Sequence, residues 1–154
     1  LTKALPGCMT NATIKSLELM QSMPERRHQL WENITVLREG LRDAGFNIGN
    51  PKGAVTSIFT RGAMALTAVR MLMQDYKIVV NPVMYPAVPY GTSIIRRTAS
   101  ALHSPEDMRR LVEAIVDVST RIPLLEGNEA AASKVAAVMP GAGITSAGSN
   151  GSAH

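Results

Sequence analysis

The chain has 154 residues, of which 45% are hydrophobic and 18% are charged, a balance that is typical of one globular domain with a buried core. The formal net charge of +4 is mild, the basic residues are scattered and only six aromatic side chains are present, which argues against a nucleic-acid-binding face. Cys8 is the single cysteine, which excludes an intrachain disulfide, and the longest apolar runs fall far short of the ~20 residues of a membrane helix. We therefore expect a cytoplasmic protein without a transmembrane segment, a metal site or a nucleic-acid partner.

Two amphipathic helices are predicted in the first third of the chain. Residues 9–22 place Ile14, Leu17 and Met20 at roughly helical spacing, and Pro24 ends this helix. The second helix, over residues 24–44, repeats its apolar residues at intervals of four, three and four: Leu30, Ile34, Leu37 and Leu41. Charged residues, Arg38 among them, are expected on its solvated faces.

The remaining elements are predicted in the order strand, helix, strand, strand and helix. Strands are predicted over Ala54–Thr60, Lys77–Val80 and Thr92–Ser100, and a helix is predicted over Gly62–Gln74. A last helix begins at Ser104, because a Ser cap, a proline and an Asp three residues after the cap form a helix-start signal. This order predicts an α+β fold in which helices cover one face of a small three-stranded sheet, and the other face stays open or covers a neighbour.

The composition changes after Pro123. Residues 124–154 are rich in Ala, Gly and Ser and are predicted to be a flexible tail, with room for a short helix over residues 129–138. Methionines on the apolar faces, such as Met20 and Met108, are interpreted as core filler. Cys8 has no charged neighbour in the sequence and is interpreted as an inert small hydrophobe.

The adjacent residues Arg96 and Arg97 are the main candidates for a functional role. Side chains alternate along a strand, so one arginine must face the helix layer and the other must face away. An arginine that faces an apolar layer is costly unless it is paired, and its planar fork of donors suits a carboxylate. The residues alone leave two interpretations open, a ligand site and an internal ion pair or snorkelling side chain. His103, just before the Ser104 cap, is expected to bond a backbone group.

The sequence around these residues resembles a known family. The segments YPAVPYG (85–91), IR (95–96) and SALHS (100–104), with LWEN (30–33) and LRE (37–39) upstream, resemble the C-terminal domain of the α-oxoamine synthases. These pyridoxal-phosphate enzymes of fold type I include glycine C-acetyltransferase, 8-amino-7-oxononanoate synthase, 5-aminolevulinate synthase and serine palmitoyltransferase. The resemblance covers roughly residues 1–122.

The resemblance implies a reaction, a cofactor and two site residues. Such enzymes condense an amino acid with an acyl-CoA, with or without loss of the carboxylate, on pyridoxal phosphate as electron sink. Arg96 takes the position that binds the amino acid carboxylate, and Thr2 takes a position that reaches the cofactor phosphate across a dimer. The sheet is then mainly antiparallel, residues 1–24 are a linker helix from a large domain, and residues 25–123 are the small domain.

Two departures from the family pattern stand out. Ile94 replaces the first arginine of the family's arginine motif, and none of the five lysines lies in the Ser-Lys-x-x-Gly context that carries the cofactor. The segment alone is therefore not expected to be an enzyme or to hold pyridoxal phosphate covalently. Three alternatives remain: part of a full-length acyltransferase, the small domain of another fold-type-I enzyme such as an aminotransferase, and a non-catalytic subunit that pairs with a homologue. A homodimer or such a heterodimer is expected.

Overall fold

The computed structural model describes residues 6–138, and this part of the chain contains five helices and three strands. In chain order these are α1 (Gly7–Ser22), α2 (Pro24–Asp43), β1 (Val55–Arg61), α3 (Met64–Tyr76), β2 (Asn81–Val83), β3 (Thr92–Thr98), α4 (Pro105–Arg121) and α5 (Asn128–Val138). After α2 the order is strand, helix, strand, strand, helix and helix, close to the order that the sequence predicts, so the α+β class is confirmed.

The sheet is antiparallel throughout, with β3 at its centre between β1 and β2. Ile58 lies opposite Ile95 in the β1–β3 register, and Phe59 lies opposite Ile94. Because side chains alternate along a strand, the first pair faces one side of the sheet and the second pair faces the other. The predicted three-stranded, mainly antiparallel sheet is confirmed.

The main core lies on the side of Ile58 and Ile95, where α2, α3 and α4 form the helix layer. Each of these helices turns the apolar stripe that its sequence predicts toward the sheet. The deeply buried members of this core include Leu37 and Leu41 from α2, Ala68 and Leu72 from α3, and Met108, Ile115 and Val118 from α4.

The predicted strand over Lys77–Val80 is wrong. Helix α3 continues to Tyr76, and Lys77 ends it in a left-handed conformation with φ of 59°. The backbone N–H groups of Lys77 and Ile78 both donate to the carbonyl of Leu72, the second at 3.0 Å, and these bonds close the C-terminus of the helix. The backbone that was expected to pair with the sheet instead caps the helix, so β2 begins only at Asn81.

Helix α1 forms where it is expected, but its apolar stripe is not buried. None of its residues is buried, and Ile14, Leu17 and Met20 are 51%, 55% and 71% exposed. The interpretation of Met20 as core filler is therefore wrong, whereas Met108 is buried as expected. Cys8 on the same helix is also exposed. Helical spacing shows which side chains share a stripe, but it does not show whether another element covers that stripe.

The second face of the sheet carries α5. Ala131 and Val135 of this helix pack against Phe59 and Ile94, with Val88 from the loop before β3 completing a second apolar cluster. Helix α5 thus covers one end of the face that was expected to be open or to cover a neighbour. Residues from 139 onward lie outside the described part of the chain, and the division into residues 1–24, 25–123 and 124–154 stays a prediction.

Candidate functional site

Arg96 lies on the second face of the sheet, beyond the end that α5 covers. It pairs with Ser57 on β1 and with Asn81 on β2, so these three side chains share one face at the end of the sheet. Arg96 is exposed, and within residues 6–138 its guanidinium has neither an ion-pair partner nor a side-chain hydrogen bond. The structure therefore presents an uncommitted cation at this position.

The cavity beside Arg96 has a volume of about 210 Å³ and a mostly apolar wall. Ser57 and Arg96 are its polar lining on the sheet. The apolar part of the lining comes from the three strands, the loop before β3, α5 and the segment between α2 and β1: Phe59, Val83, Ile94, Ala87, Val88, Val135, Ile48 and Pro51. A cation at one side of an apolar cavity suits a ligand that has one acidic group and an aliphatic or aromatic body.

The YPAVPYG segment (85–91) forms the loop that shapes this cavity. Val88 is only 5% exposed and packs in the α5 cluster, which fixes the loop above the sheet. Gly91 has φ of 81°, a conformation that glycine adopts without steric cost, and its carbonyl accepts the N–H of Gly62 at 2.9 Å. The loop and the arginine that the resemblance pairs in sequence are thus neighbours in one cavity.

Arg97 lies on the opposite side of the sheet, at the edge of the helix layer. Its Nη1 donates to the carbonyl of Val79 at 3.1 Å, and its Nη2 lies 2.9 Å from Nε2 of His103. The Nδ1 atom of His103 accepts the backbone N–H of Ser100 at 3.1 Å, which confirms the expected bond from this histidine to the backbone. Arg96 and Arg97 therefore have different surroundings, as strand alternation requires.

Comparison with known proteins identifies the family. The model of the aminotransferase class I and II family matches residues 2–115. The chain belongs to the aminotransferase class I and II family. Family members that it resembles include the cysteate-C-fatty acyltransferase of Capnocytophaga ochracea, 37% identical over 122 residues, and the 2-amino-3-ketobutyrate coenzyme A ligase of Escherichia coli, 30% identical over 124 residues. These matches cover 78% and 80% of this chain but only 29% and 31% of the relatives.

Solved structures support the same fold. A serine palmitoyltransferase variant from S. paucimobilis, solved with a bound adduct of pyridoxal phosphate and myriocin, superposes with a TM-score of 0.72 over 80% of this chain and 32% of its own. At 24% sequence identity, that likeness speaks for the fold alone. The chain thus spans less than a third of the length of these relatives. Together the family model and the named relatives confirm the predicted resemblance to the α-oxoamine synthases.

Among the described residues of this family member, no lysine lines the cavity beside Arg96. Lys15 pairs with Glu18 on α1, Lys77 donates to the carbonyl of Gln74, and Lys134 lies exposed on α5. Thr2 lies outside the described residues. Residues 6–138 also contain no group of three or more His, Cys, Asp or Glu side chains placed to hold a metal ion.

Two buried polar residues of α2 were missed by the sequence reasoning. Arg38, expected on a solvated face of α2, is 8% exposed; it donates to Thr56 Oγ1 at 3.3 Å, to the carbonyl of Val55 at 3.3 Å and to that of Gly53. Asn33 is fully buried and donates to the carbonyls of Ser100 and His103 at 3.0 and 2.7 Å.

These buried contacts tie α2 to one end of the β1–β3 pair, where the start of β1 lies opposite the end of β3. Arg38 holds the start of β1, and Asn33 holds the turn after β3. Burial, together with the charge of Arg42, lowers the pKa of the Arg38 guanidinium. The signal that could have pointed to both residues is their place in the LWEN and LRE segments (30–33 and 37–39), which the resemblance includes.

The start of α4 is set by a reciprocal cap. Asp107 N–H donates to Ser104 Oγ at 3.1 Å, and Ser104 N–H donates to the Asp107 carboxylate at 2.8 Å, which confirms the predicted helix start. The bond from the Ser104 backbone and then the bond from its hydroxyl hold the pKa of the Asp107 carboxyl below its ordinary range.

A search of the helices in residues 6–138 finds none with the length and hydropathy of a membrane-spanning segment.

Proposed function

We propose that this chain is the C-terminal small domain of a pyridoxal-phosphate-dependent acyltransferase that condenses an amino acid with an acyl-CoA. The observation that carries the proposal is the uncommitted guanidinium of Arg96 in one cavity with the YPAVPYG loop. In this proposal Arg96 binds the amino acid carboxylate, and Thr2 contacts the cofactor phosphate.

The chemistry of the cavity supports a carboxylate ligand. A guanidinium presents parallel N–H donors that match the two oxygens of a carboxylate, and such a pair is stronger than a neutral hydrogen bond. The Cα and side chain of the bound amino acid would then lie along the wall formed by Val83, Val88 and Val135. Arg96 fixes the orientation of the amino acid, and the apolar wall excludes water from its body.

The cofactor is supplied from elsewhere. Pyridoxal phosphate provides the electron sink for the bond changes at the amino acid Cα, and its lysine would come from a segment outside residues 6–138 or from a second subunit. The relatives' names point to acyl transfer and to coenzyme A, which favours an acyl-CoA as the second substrate. We infer a dimer that works in the cytoplasm, where a single unpaired cysteine stays reduced.

A partner-subunit function is the second candidate. It is favoured by the absence of a lysine from the lining of the Arg96 cavity within the described residues. In that case the chain contributes Arg96, or only its fold, to a homologous subunit that has the lysine. The small domain of an aminotransferase is a third alternative, because such an enzyme also needs a cation for its substrate carboxylate.

The test uses the protein that carries this chain, purified with pyridoxal phosphate. Release of the CoA thiol is measured while amino acid and acyl-CoA are varied in turn. Arg96→Gln should raise the KM for the amino acid about tenfold to a hundredfold, since it removes a charge-assisted hydrogen-bond pair. The KM for acyl-CoA should not change, and Arg96→Lys should restore part of the loss because it keeps the charge.

The matched control is Arg109→Gln, because Arg109 is an exposed arginine of α4 that pairs with Glu106 at 2.9 Å. An amino acid KM that is the same for Arg96→Gln and for the unchanged protein would refute the assignment of Arg96. Transfer to a 2-oxo acid in place of an acyl-CoA would show an aminotransferase. Activity that appears only after a homologous subunit is added would show the partner-subunit function.

A further inference from the structure

A second cavity, of about 280 Å³, lies on the helix side of the sheet, between the end of α3 and the first turns of α4. Three basic side chains line it: Lys77, Arg97 and Arg110. His103 lines it as well, and the single carboxylate in the lining is that of Asp107. Counted with a neutral His103, three positive side chains and one carboxylate give the lining a net charge of +2.

These charges are held in place but are not neutralised. Lys77 Nζ donates to the carbonyl of Gln74 at 2.8 Å, and Arg110 donates to the carbonyl of Tyr76 at 3.0 Å. Within residues 6–138, none of the three basic side chains forms an ion pair. The carboxylate of Asp107 is already engaged by the N–H and the hydroxyl of Ser104, at 2.8 and 2.9 Å.

The contact between Arg97 and His103 lacks a hydrogen-bond acceptor. A neutral imidazole has one acceptor nitrogen and one N–H, but both nitrogens of His103 face donors: the N–H of Ser100 at Nδ1 and the guanidinium of Arg97 at Nε2. In one of these two contacts, therefore, two N–H groups face each other without an acceptor between them. In addition, Nε of Arg97 is buried and has no acceptor among the described residues. Buried donors in native proteins are nearly always satisfied, so an acceptor from outside the chain is expected here.

We propose that this cavity binds a phosphate group, either free phosphate or the phosphate monoester of a larger ligand, on Arg97, His103, Lys77 and Arg110. A phosphate dianion balances the two excess charges and offers several acceptor oxygens to the basic side chains that line the cavity from different elements. A carboxylate would leave one charge unbalanced, and water would leave both. The site is on the opposite side of the sheet from Arg96, and it does not depend on the proposed acyltransferase function.

The first experiment titrates the full, isotope-labelled chain with sodium phosphate at constant pH, with sodium chloride keeping the ionic strength fixed. The ring signals of His103 and the Nε–H signal of Arg97 should shift and saturate together. At phosphate concentrations of about a hundred times Kd, the Tm should rise by about 5–10 °C because only the folded chain binds.

Two neighbouring arginines of α4 give a matched pair of variants. Arg110 lines the cavity, whereas Arg109 does not and pairs instead with Glu106. Arg110→Gln should weaken phosphate binding about tenfold, and Arg109→Gln should leave it unchanged. Arg97→Gln should abolish the saturable shift; since this variant removes a partly buried side chain, the Arg110 variant keeps the test valid if Arg97→Gln does not fold.

Coenzyme A, whose 3′-phosphate is a monoester, distinguishes the two sources of the ligand. Saturation by coenzyme A at a lower concentration than by inorganic phosphate indicates an organic monoester, and a response to inorganic phosphate alone indicates the free anion. The proposal is overturned if His103 shows no saturable shift with either ligand, if chloride alone reproduces the shift, or if Arg109→Gln and Arg110→Gln weaken binding equally.

Discussion

At the scale of single residues, three arginines have the same side chain but three different surroundings. Arg96 and Arg97 are consecutive but lie on opposite faces of β3, one exposed beside an apolar cavity and the other beside His103. Arg38 is buried between α2 and the start of β1, where carbonyl and hydroxyl oxygens accept its N–H groups. The same guanidinium thus serves as a candidate ligand group, as part of a basic cavity and as a structural clamp.

The clamp predicts a large effect on stability. Arg38→Met keeps most of the apolar stem but leaves the carbonyls of Gly53 and Val55 without their donor, so we expect a loss of about 2–4 kcal/mol in the free energy of unfolding. Urea unfolding followed by circular dichroism measures the change. Arg42 is exposed and lies one helical turn from Arg38, so Arg42→Met should lower the free energy of unfolding by less than about 0.5 kcal/mol. Equal losses for the two variants would show that Arg38 is not a clamp.

At the scale of elements, α4 begins where its sequence predicts because the signal is entirely local. Ser104, Pro105 and Asp107 lie within four residues, and the two bonds of the cap join Ser104 and Asp107 directly. The depressed pKa of Asp107 means that the folded chain prefers the ionised carboxylate. The stabilisation is therefore complete above the ordinary carboxyl range and is lost as the pH falls through the pKa of the folded state.

This cap predicts a specific dependence of stability on pH. Ser104→Ala should lower the free energy of unfolding by about 1 kcal/mol at neutral pH, and the difference should shrink as the pH falls below the ordinary carboxyl range. Asp107→Asn should remove the part of the acid sensitivity that comes from this carboxylate. Urea unfolding at several pH values measures both effects. Ser119→Ala, on the same helix but away from the cap, is the control; if its pH profile changes as that of Ser104→Ala does, the cap is not the cause.

At the scale of the whole molecule, the sheet carries two unequal cores. The helix layer of α2, α3 and α4 covers one face, and α5 covers one end of the other face through Ala131 and Val135. Asn128 anchors α5 to the sheet: it accepts the N–H of Asn47 at 2.7 Å and donates to the carbonyl of Phe59 at 2.7 Å, and it is 2% exposed. Because Val135 also lines the Arg96 cavity, this anchor shapes the candidate site.

Loss of the anchor should loosen α5 without unfolding the main core. Asn128→Ala leaves buried backbone groups of Asn47 and Phe59 unpaired, which typically costs about 1–3 kcal/mol. Hydrogen exchange should therefore accelerate in the amides of α5 and stay slow in those of α4, and an apolar dye should bind the uncovered sheet face. Ser133→Ala, on the exposed side of α5, should change neither measurement. Unchanged exchange in Asn128→Ala would show that apolar packing alone holds α5.

The face of the sheet on which Arg96 lies could be predicted from the sequence, whereas the contacts around it could not. The YPAVPYG and IR segments pointed to Arg96 through a resemblance, and alternation along β3 placed Arg96 and Arg97 on opposite faces. Neither signal showed that α5 would form a wall of the cavity, because Val135 is 39 positions away along the chain and meets Arg96 only across the folded sheet. The buried roles of Arg38 and Asn33 were missed for the same reason: a polar residue on a helix is expected to be solvated unless distant acceptors cover it.

The sequence by itself determined the elements whose signals are local: the cap of α4, the apolar stripes of α2, α3 and α4, and the alternation of β3. Only the tertiary structure decided that α1 leaves its stripe exposed, that Lys77 caps α3 in place of starting a strand, and that α5 closes one end of the second sheet face. The physical reason is that spacing along a chain fixes which side chains share a face, whereas burial and pairing depend on which distant element arrives at that face.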